Sequence, residues 1–227
     1  SLLSLRPQTC SLDAPAGENE AGGIFLEDVQ APQPYEELVH EELLHTMEGL
    51  MEALNDRQQQ VYEGLLSQME AENPGAALLY GVTGSGKTAV YIKLIQTTLD
   101  WGKSAMLLVP EIALTPQLLG LLAAYFGDKV AVLHSSLSSG ERYDQWKRVR
   151  SGEAPVVVGT RSAVFAPCPN LGLVILDEEQ EHSYKSENSP RYDAREVAIW
   201  RGTKEKALVL LGSATPSVET MYRAKSG

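Results

Sequence analysis

The chain has 227 residues, 43% of them hydrophobic, and two cysteines without CxxC spacing, so we expect one globular domain with an appendage and neither a disulfide framework nor a zinc knuckle in this segment. No apolar run approaches the roughly 18 residues that span a bilayer, and the start SLLSLRPQTC lacks the pattern of a secretory signal, so we expect a soluble, cytoplasmic protein without a membrane partner. The net charge of −11 is unevenly distributed, because residues 1–72 carry 15 acidic and 2 basic side chains whereas residues 73–227 carry 15 acidic and 17 basic ones. The charge therefore does not exclude a nucleic-acid partner, and we expect the acidic third to be a connector or to face away from any polyanion.

The first part of the chain predicts a linker followed by two helices. Residues 1–34 are rich in Gly, Pro and acidic residues, which favours a mobile linker. Residues 35–54 place apolar side chains on one helical face, namely Leu43, Met47, Leu50 and Leu54. Asn55 is a candidate N-cap for a second helix, Gln58 completes a capping-box spacing, and Asn73-Pro74-Gly75 ends it. Its apolar stripe is predicted to be Val61, Leu65 and Met69.

Beyond residue 75 the chain alternates short apolar runs with amphipathic helices, which is the rhythm of an α/β fold. The runs lie at 77–81, 105–110, 130–134, 155–159, 171–177 and 207–212. Strands that are apolar on both faces belong to a mostly parallel sheet with helices on both faces, and ligands then bind at the carboxyl ends of the strands. We therefore expect one α/β domain over 54–227 and a helical or flexible N-terminal extension over 1–53.

The stretch GVTGSGKT at 81–88 follows the first apolar run and opens a helix, so it predicts a phosphate-binding P-loop. Its glycines allow backbone N–H groups to converge on a phosphate, Lys87 is placed to bridge the terminal phosphates of ATP, and Thr88 is placed to hold Mg²⁺. A glycine-rich turn with a surface lysine would not explain the Lys-Thr pair at this offset. The predicted ATP-binding residues are Gly81, Val82, Thr83, Gly84, Ser85, Gly86, Lys87 and Thr88.

The run LVILDEEQ at 173–180 ends in the carboxylates that a P-loop enzyme needs. Asp177 is predicted to hold Mg²⁺ together with Thr88, and Glu178 is predicted to orient and deprotonate the attacking water. An acidic loop after a strand is the alternative for this stretch alone.

Three further strand ends carry hydroxyl, glycine and arginine residues: PEIALTPQ at 110–117, GTRSAVF at 159–165 and GSATPS at 212–217. Such groups along one rim can bind the backbone of a single nucleic-acid strand without reading its bases. Taken alone, Thr115 and Ser217 could also be helix N-caps.

These strings, together with VLHSSLSSGERYDQW, DEEQEHSYK and RYDAREVA, occur in an order that resembles the first RecA-like motor lobe of the PriA family of superfamily 2 replication-restart helicases, over roughly residues 54–225. The resemblance implies an ATP hydrolase that drives 3′-to-5′ movement on single-stranded DNA and acts at forked DNA in primosome assembly. It also implies primosome and single-strand-binding proteins as partners, and a DNA-binding region before the motor, of which residues 1–53 would be a remnant.

Carried over by position, the resemblance assigns Gly81 through Thr88, Asp177 and Glu178 to Mg-ATP. The implied catalytic residues are Lys87, Asp177, Glu178 and Gln180. Gln58 would contact the adenine, and the capping-box interpretation of the same residue stays open. Coupling between nucleotide and DNA is assigned to Ser213, Ala214 and Thr215. The implied DNA-binding residues are Pro110, Glu111, Thr160, Arg161, Ser162, Tyr184, Lys185, Arg191 and Tyr192.

The sequence departs from the family pattern in three places. Gln180 stands where His is usual, so its bond to the GSATPS stretch must use an amide, and Asn188-Ser189-Pro190 leaves the DNA-sensing loop with fewer aromatic rings. The sequence given stops soon after GSATPS, so we expect the second lobe, with its arginine finger and zinc-binding insertion, to lie outside it. Because an absent finger costs about 10³–10⁵ in rate, this segment is expected to bind nucleotide, to hydrolyse it slowly and not to unwind DNA.

Two other functions fit parts of the pattern. The motor lobe of another superfamily 2 DNA translocase would also carry DEEQ, although GTRSAVF and SYK would then recur by accident. A nucleotide-gated scaffold that has lost activity is the second alternative, and the intact Lys87, Asp177 and Glu178 argue against it.

Overall fold

The computed structural model describes residues 54–82 and 84–226, and its centre is a six-stranded parallel sheet. The predicted helix before Leu54 and the P-loop residue Thr83 lie outside the described residues. The strands are β1 (Ala76–Tyr80), β2 (Ser104–Leu108), β3 (Val130–Leu133), β4 (Val156–Gly159), β5 (Leu171–Leu176) and β6 (Leu208–Ser213). Their order across the sheet is β1-β6-β5-β2-β4-β3, with every neighbouring pair parallel. The predicted α/β class and each of the six predicted strands are confirmed.

Within the described ranges, six helices connect and cover the strands. They are α1 (Asp56–Glu70), α2 (Lys87–Asp100), α3 (Pro116–Phe126), α4 (Ser139–Ser151), α5 (Ala194–Glu205) and α6 (Val218–Ser226). Single 3₁₀ turns follow the carboxyl ends of three strands, at Glu111–Ala113, Arg161–Phe165 and His182–Tyr184. None of the helices in the described ranges is both long and apolar enough to cross a membrane.

The sheet separates two apolar layers, because successive residues of a strand point to opposite faces. In β2, Ala105 and Leu107 pack with α1, α2 and α3, whereas Met106 and Leu108 pack on the other side, where α4 and α5 contribute Val149 and Ala198. Each fully buried Leu, Ile or Val side chain contributes about 1.5–3 kcal/mol to folding. This two-sided burial explains why the strands are continuous apolar runs in the sequence.

Helix α1 fixes the approach to the P-loop. Its capping box is present, since Asn55 and Gln58 exchange side-chain to backbone hydrogen bonds of 2.9 Å each. Tyr62 is buried against α2, where its hydroxyl lies 2.8 Å from that of Thr97. The predicted apolar stripe of Val61, Leu65 and Met69 is confirmed, since Leu65 and Met69 are buried in the core and the half-buried Val61 packs against it; Tyr62 is buried beside them.

The strand order decides which loops meet at the carboxyl edge of the sheet. Strand β6 lies between β1 and β5, with Tyr80 in register with Ser213 and Leu176 in register with Leu211. The loops after β1, β6 and β5 are therefore neighbours, and those after β2, β4 and β3 continue along the same edge.

Candidate nucleotide and nucleic-acid site

The described part of the P-loop has the backbone that its glycines were expected to provide. Gly84 and Gly86 have positive φ values of 79° and 82°, a region that residues with a Cβ rarely enter. Gly86 is the N-cap of α2, and Lys87 is its first residue. The Lys87 ammonium donates to the backbone oxygen of Gly81 at 2.8 Å, which leaves two of its three N–H donors for a phosphate.

Gln58 joins α1 to the P-loop as well as capping the helix. Its Oε1 accepts from Asn55 N, and its Nε2 donates to the backbone oxygen of Ser85 at 3.2 Å. A Cβ at Gly86 would lie 2.0 Å from Gln58 Nε2, so only glycine permits this contact. The capping-box prediction is confirmed, and the adenine contact stays a prediction.

A cavity of about 260 Å³ lies between α1 and the P-loop. Its walls include the apolar side chains of Val61, Val82 and Val90, and its lining also offers the amides of Asn55 and Gln58 and the cations Arg57 and Lys87. This composition suits the base of a nucleotide whose phosphates lie at the P-loop.

Asp177 follows β5 directly and receives a hydrogen bond from α2 that the sequence did not suggest. The hydroxyl of Tyr91, a residue with only 2% exposure, donates to Asp177 Oδ1 at 2.8 Å. To reach it, the Tyr91 ring crosses β6 at Gly212, where a Cβ would lie 1.8 Å from the Tyr91 hydroxyl and 3.1 Å from Asp177 Oδ1. Tyr91 therefore connects the helix of the P-loop to the acidic stretch, and Gly212 provides the space.

Burial dominates the electrostatics of Asp177 and Tyr91. Burial raises the pKa of Asp177 above its usual range and the charge of Glu178 adds to this, whereas the hydrogen bond from Tyr91 lowers it. Burial raises the pKa of Tyr91 far above its ordinary value, and the negative charge of Asp177 raises it further. Tyr91 therefore stays a neutral donor at any physiological pH.

A chain of hydrogen bonds links Glu178 to the GSATPS stretch. Glu178 has a φ of 48°, unusual for a residue with a side chain and typical of functional turns. Gln180 Nε2 donates to Glu178 Oε2 at 2.7 Å, and Ser213 Oγ donates to Gln180 Oε1 at 2.5 Å. Thr215 N then donates to Ser213 Oγ at 2.9 Å. The prediction that Gln180 bonds this stretch through its amide is confirmed.

Ser213 also contacts the P-loop, because its backbone oxygen accepts from Gly81 N at 3.1 Å. The side chain of Ser213 is fully buried, and Thr215 is exposed. One residue thus joins the phosphate-binding loop, the acidic stretch and the segment that leads to α6.

Glu179 is a functional candidate that sequence reasoning missed. Its carboxylate has 0% exposure, and it accepts from Ser217 N at 2.7 Å and from the Thr220 hydroxyl at 2.9 Å. Arg195 donates to the backbone oxygen of Glu179 at 2.7 Å while it forms a two-pronged ion pair with Asp193. Glu179 therefore attaches the start of α6 to the acidic stretch. The only sequence signal for this role is that Glu179 lies two residues after Asp177.

Fewer of the predicted DNA-binding residues are exposed than the sequence suggested. Arg161 donates to the backbone oxygens of Ser183 at 3.3 Å and Lys185 at 2.8 Å, so it ties the turn after β4 to the loop after β5. Tyr192 packs edge-on against Phe165 with ring centroids 4.9 Å apart, and Phe165 is 47% exposed, a ring that the prediction omitted. The predicted residues that are exposed are Glu111, Ser162, Lys185 and Arg191.

Three predicted DNA-binding residues have buried side chains. The prediction that Tyr184 stacks on bases is corrected, whereas DNA contacts of Pro110 and Thr160 stay predictions. Tyr184 has 1% exposure, and its hydroxyl donates to the backbone oxygens of Leu108 at 3.0 Å and Asp177 at 2.6 Å. Thr160 has 4% exposure and Pro110 is buried. A buried ring cannot stack on a base, so the role of Tyr184 is to hold the backbone of Asp177 through its hydroxyl. Pro110 and Thr160 stabilise their turns through backbone hydrogen bonds.

The residues present fit a magnesium-bound triphosphate. Within the described ranges no group of three or more His, Cys, Asp and Glu side chains comes together to hold a metal ion. A P-loop does not need one, because phosphate oxygens and waters supply most ligands of Mg²⁺. Thr88, at the first turn of α2, and Asp177 are the residues that would complete the set.

Comparisons with known proteins point to one family. The DEAD/DEAH box helicase family model matches residues 55–224. The replication restart protein PriA of Bacillus subtilis (strain 168) is 49% identical over 174 residues, which are 77% of this chain and 22% of that protein. PriA of Synechocystis sp. is 54% identical over 146 residues, 64% of this chain and 18% of that protein. PriA of Chlamydia pneumoniae is 43% identical over 190 residues, which are 83% of this chain and 25% of that protein. The chain thus spans a quarter or less of the length of these relatives.

Two solved structures share the fold. RecG bound to a three-way DNA junction has a TM-score of 0.59 and 26% identity, covering 83% of this chain and 24% of that one. The helicase domain of Pyrococcus furiosus Hef has a TM-score of 0.51 and 23% identity over 75% of this chain and 35% of that one. Both comparisons agree with a RecA-like helicase fold.

Proposed function

The chain belongs to the DEAD/DEAH box helicase family, and from this we propose that it is the ATP-binding motor lobe of a 3′-to-5′ DNA helicase acting in replication restart and primosome assembly. The similarity to PriA proteins over 64–83% of the chain supports this choice within the family. The observation that carries the proposal is the bonded path from the P-loop through Ser213 and Gln180 to Glu178. Such a path lets the loop that binds phosphate and the segment after β6 respond to each other.

In this proposal each residue of the path has a separate task. Lys87 binds the terminal phosphates, and the amides around Gly84 and Gly86 hold the phosphate chain. Bound Mg²⁺ would neutralise charge on the phosphate oxygens. Glu178 orients the attacking water and accepts its proton, and Gln180 keeps the Glu178 carboxylate in position through the 2.7 Å hydrogen bond.

Coupling to DNA follows the same bonds. A change at the P-loop reaches Ser213 through Gly81, and Ser213 holds the backbone of Thr215. Glu179 fixes the following helix, α6, through Ser217 and Thr220. We propose that Ser213, Ala214 and Thr215 transmit the nucleotide state along this segment.

The DNA strand is proposed to cross the carboxyl edge of the sheet. Arg161, Ser162, Lys185 and Arg191 supply donors and positive charge for phosphates, and Tyr192 with Phe165 supplies an aromatic surface. Single-stranded and forked DNA are the proposed substrates, and the solved RecG relative is bound to a three-way DNA junction. Primosome and single-strand-binding proteins, and a cytoplasmic location, belong to the same proposal.

Turnover is proposed to need more than these 227 residues. An arginine finger accelerates hydrolysis about 10³–10⁵-fold in GTPases, and we propose that a second lobe supplies the corresponding arginine here. The longer relatives offer room for such a lobe and for the expected zinc-binding insertion. The chain alone should bind Mg-ATP and hydrolyse it slowly.

Calorimetric titration with Mg-ATP tests the nucleotide part of the proposal. Lys87→Ala should weaken binding about 10- to 150-fold, because it removes charged hydrogen bonds of about 1.5–3 kcal/mol. Lys93→Ala is the matched control, since Lys93 is an exposed lysine on the same helix. Equal affinities for both variants and the unmodified chain would refute the P-loop assignment.

A further inference from the structure

Helix α4 presents an exposed aromatic and basic face that the functions described above do not use. The α4 face consists of Ser139, Arg142, Tyr143, Trp146, Lys147 and Arg150, which line a surface groove of about 340 Å³. These positions recur at three- and four-residue steps and so form one stripe of the helix. Tyr143 is 64% exposed and Trp146 is 39% exposed.

The packing of α4 does not require this face. Val149, which is not one of the residues of the stripe, is fully buried and attaches the helix to the core. Arg148, which lies outside the stripe, donates to the backbone oxygens of Asp128 and Val130. The exposed rings of Tyr143 and Trp146 therefore need an explanation other than core packing.

All the charged residues of the α4 face are basic. Arg142, Lys147 and Arg150 lie on it, and the Lys147 ammonium is 5.7 Å from the centroid of the Tyr143 ring. The two carboxylates of α4 lie outside the stripe, and Glu141 is occupied in the capping box with Ser138. An anionic partner with flat, stackable groups matches this combination of cations and rings.

The α4 face begins beside the rim proposed for DNA. Ser135, just after β3, donates to the carboxylate of Glu111 at 2.9 Å. Arg142 in turn donates to the backbone oxygens of Ser135 at 3.4 Å and Leu137 at 3.3 Å. Thr160 N donates to the backbone oxygen of Leu133 at 3.1 Å, which places the Arg161 turn next to the same strand end. A strand that leaves the rim at Arg161 and Glu111 toward β3 therefore reaches the start of α4.

We propose that the α4 face is a second contact for single-stranded nucleic acid, beyond the rim and on the same strand. Bases stack on Tyr143 and Trp146, and Arg142, Lys147 and Arg150 meet the phosphates. Because every base has a flat face, this contact reads no sequence. The inference rests on the proposed DNA-motor function, which it extends to the path of the strand.

Oligothymidylates of two lengths test the inference on the 227-residue chain. One of about 6 nucleotides covers only the rim and one of about 16 also reaches α4, within the range of known single-strand site sizes. The Tyr143→Ala/Arg150→Ala variant should bind the long strand at least about fivefold more weakly, the lower limit for one lost stacking contact. Its plot of log affinity against log salt should become shallower by about 0.7 for the lost phosphate contact. The short strand should bind as before.

The matched control is Trp200→Ala/Lys204→Ala, which removes another exposed ring and the ammonium 4.8 Å from its centroid, on α5. It should leave both affinities unchanged, whereas Arg161→Ala should weaken both. Unchanged long-strand affinity in the α4 variant would overturn the inference, and a weaker Arg161→Ala would then leave the proposed function standing. Failure of the unmodified chain to bind either strand would overturn both.

Fluorescence gives a second readout that needs no change on α4. In a Trp101→Phe/Trp200→Phe chain only Trp146 reports, and the long oligonucleotide should quench it while the short one should not. Polyglutamate of matched charge should produce no comparable quenching. Equal quenching by polyglutamate, or none by the long strand, would assign the face to an acidic polypeptide or to no anion and would overturn the inference.

Discussion

Replacing Gly212 by alanine should destabilise the fold through Tyr91. The new Cβ would lie 1.8 Å from the Tyr91 hydroxyl, far inside any real contact, and 3.0 Å from Cζ of the same ring. The ring cannot withdraw freely, because Tyr91 has 2% exposure and its hydroxyl is bonded to Asp177 at 2.8 Å. Overpacking costs about 1–3 kcal/mol, and loss of a hydrogen bond to a charged group costs about 1.5–3 kcal/mol.

Because the structure relaxes in part, the two costs do not add fully, and we expect Gly212→Ala to lower the free energy of unfolding by about 2–4 kcal/mol. The midpoint of thermal unfolding should fall by about 2–4 °C for each kcal/mol in a chain of this size. In a Tyr91→Phe background the 1.8 Å contact is absent and the nearest remaining atoms are at 3.0 and 3.1 Å. The cost of Gly212→Ala should then drop to about 1 kcal/mol or less, which gives a coupling of about 1–3 kcal/mol between the two sites.

Urea unfolding of the four proteins of this double-mutant cycle measures the coupling. Gly64→Ala is the control, because no atom lies within 4 Å of its new Cβ and Gly64 is inside α1. It should stabilise by about 0.5–1 kcal/mol, with or without Tyr91→Phe. Additive effects of Gly212→Ala and Tyr91→Phe, within about 0.5 kcal/mol, would refute the reasoning.

Two further predictions concern the acidic stretch. Because the folded-state pKa of Asp177 is raised, the folded chain binds more protons than the unfolded chain between the two pKa values, and this residue's contribution to stability falls as pH rises through that window. Asp177→Asn should therefore be more stable than the unmodified chain at neutral pH, with the difference vanishing below the usual aspartate pKa of about 3.9; a pH-independent difference in urea titrations would contradict this. Tyr184→Phe removes the hydroxyl bonded to Leu108 and Asp177 and should cost about 1–3 kcal/mol of stability. Its affinity for oligothymidylate should be unchanged, and a weaker affinity at equal stability would return Tyr184 to the DNA path.

Much of the fold could be predicted because a two-sided parallel sheet leaves a direct trace in the sequence. Each strand is an apolar run, such as LVIL before Asp177, and each run ends in the polar residues that collect at one edge. The P-loop could also be predicted from the sequence, because the positive φ values at Gly84 and Gly86 favour glycine at these positions. The bond between Gln180 and Ser213 followed from the resemblance once the amide was considered.

The contacts that escaped prediction depend on the order of strands, which no local pattern encodes. Tyr91 reaches Asp177 only because β6 lies between β1 and β5 and carries Gly212 at the crossing point. Tyr184 stands among polar residues in the sequence, yet the turn folds its ring beneath Asp177. Glu179 lies in an acidic run with no local pattern that indicates burial, and its burial is explained by two donors from residues that follow β6.

The most direct test of the account is a crystal structure of the chain with Mg²⁺ and a non-hydrolysable ATP analogue. The account predicts the β- and γ-phosphates within hydrogen-bond reach of Lys87 and the P-loop amides, with the metal between Thr88 and Asp177. An analogue bound away from the P-loop, or one whose terminal phosphates lie out of hydrogen-bond reach of Lys87, would contradict it.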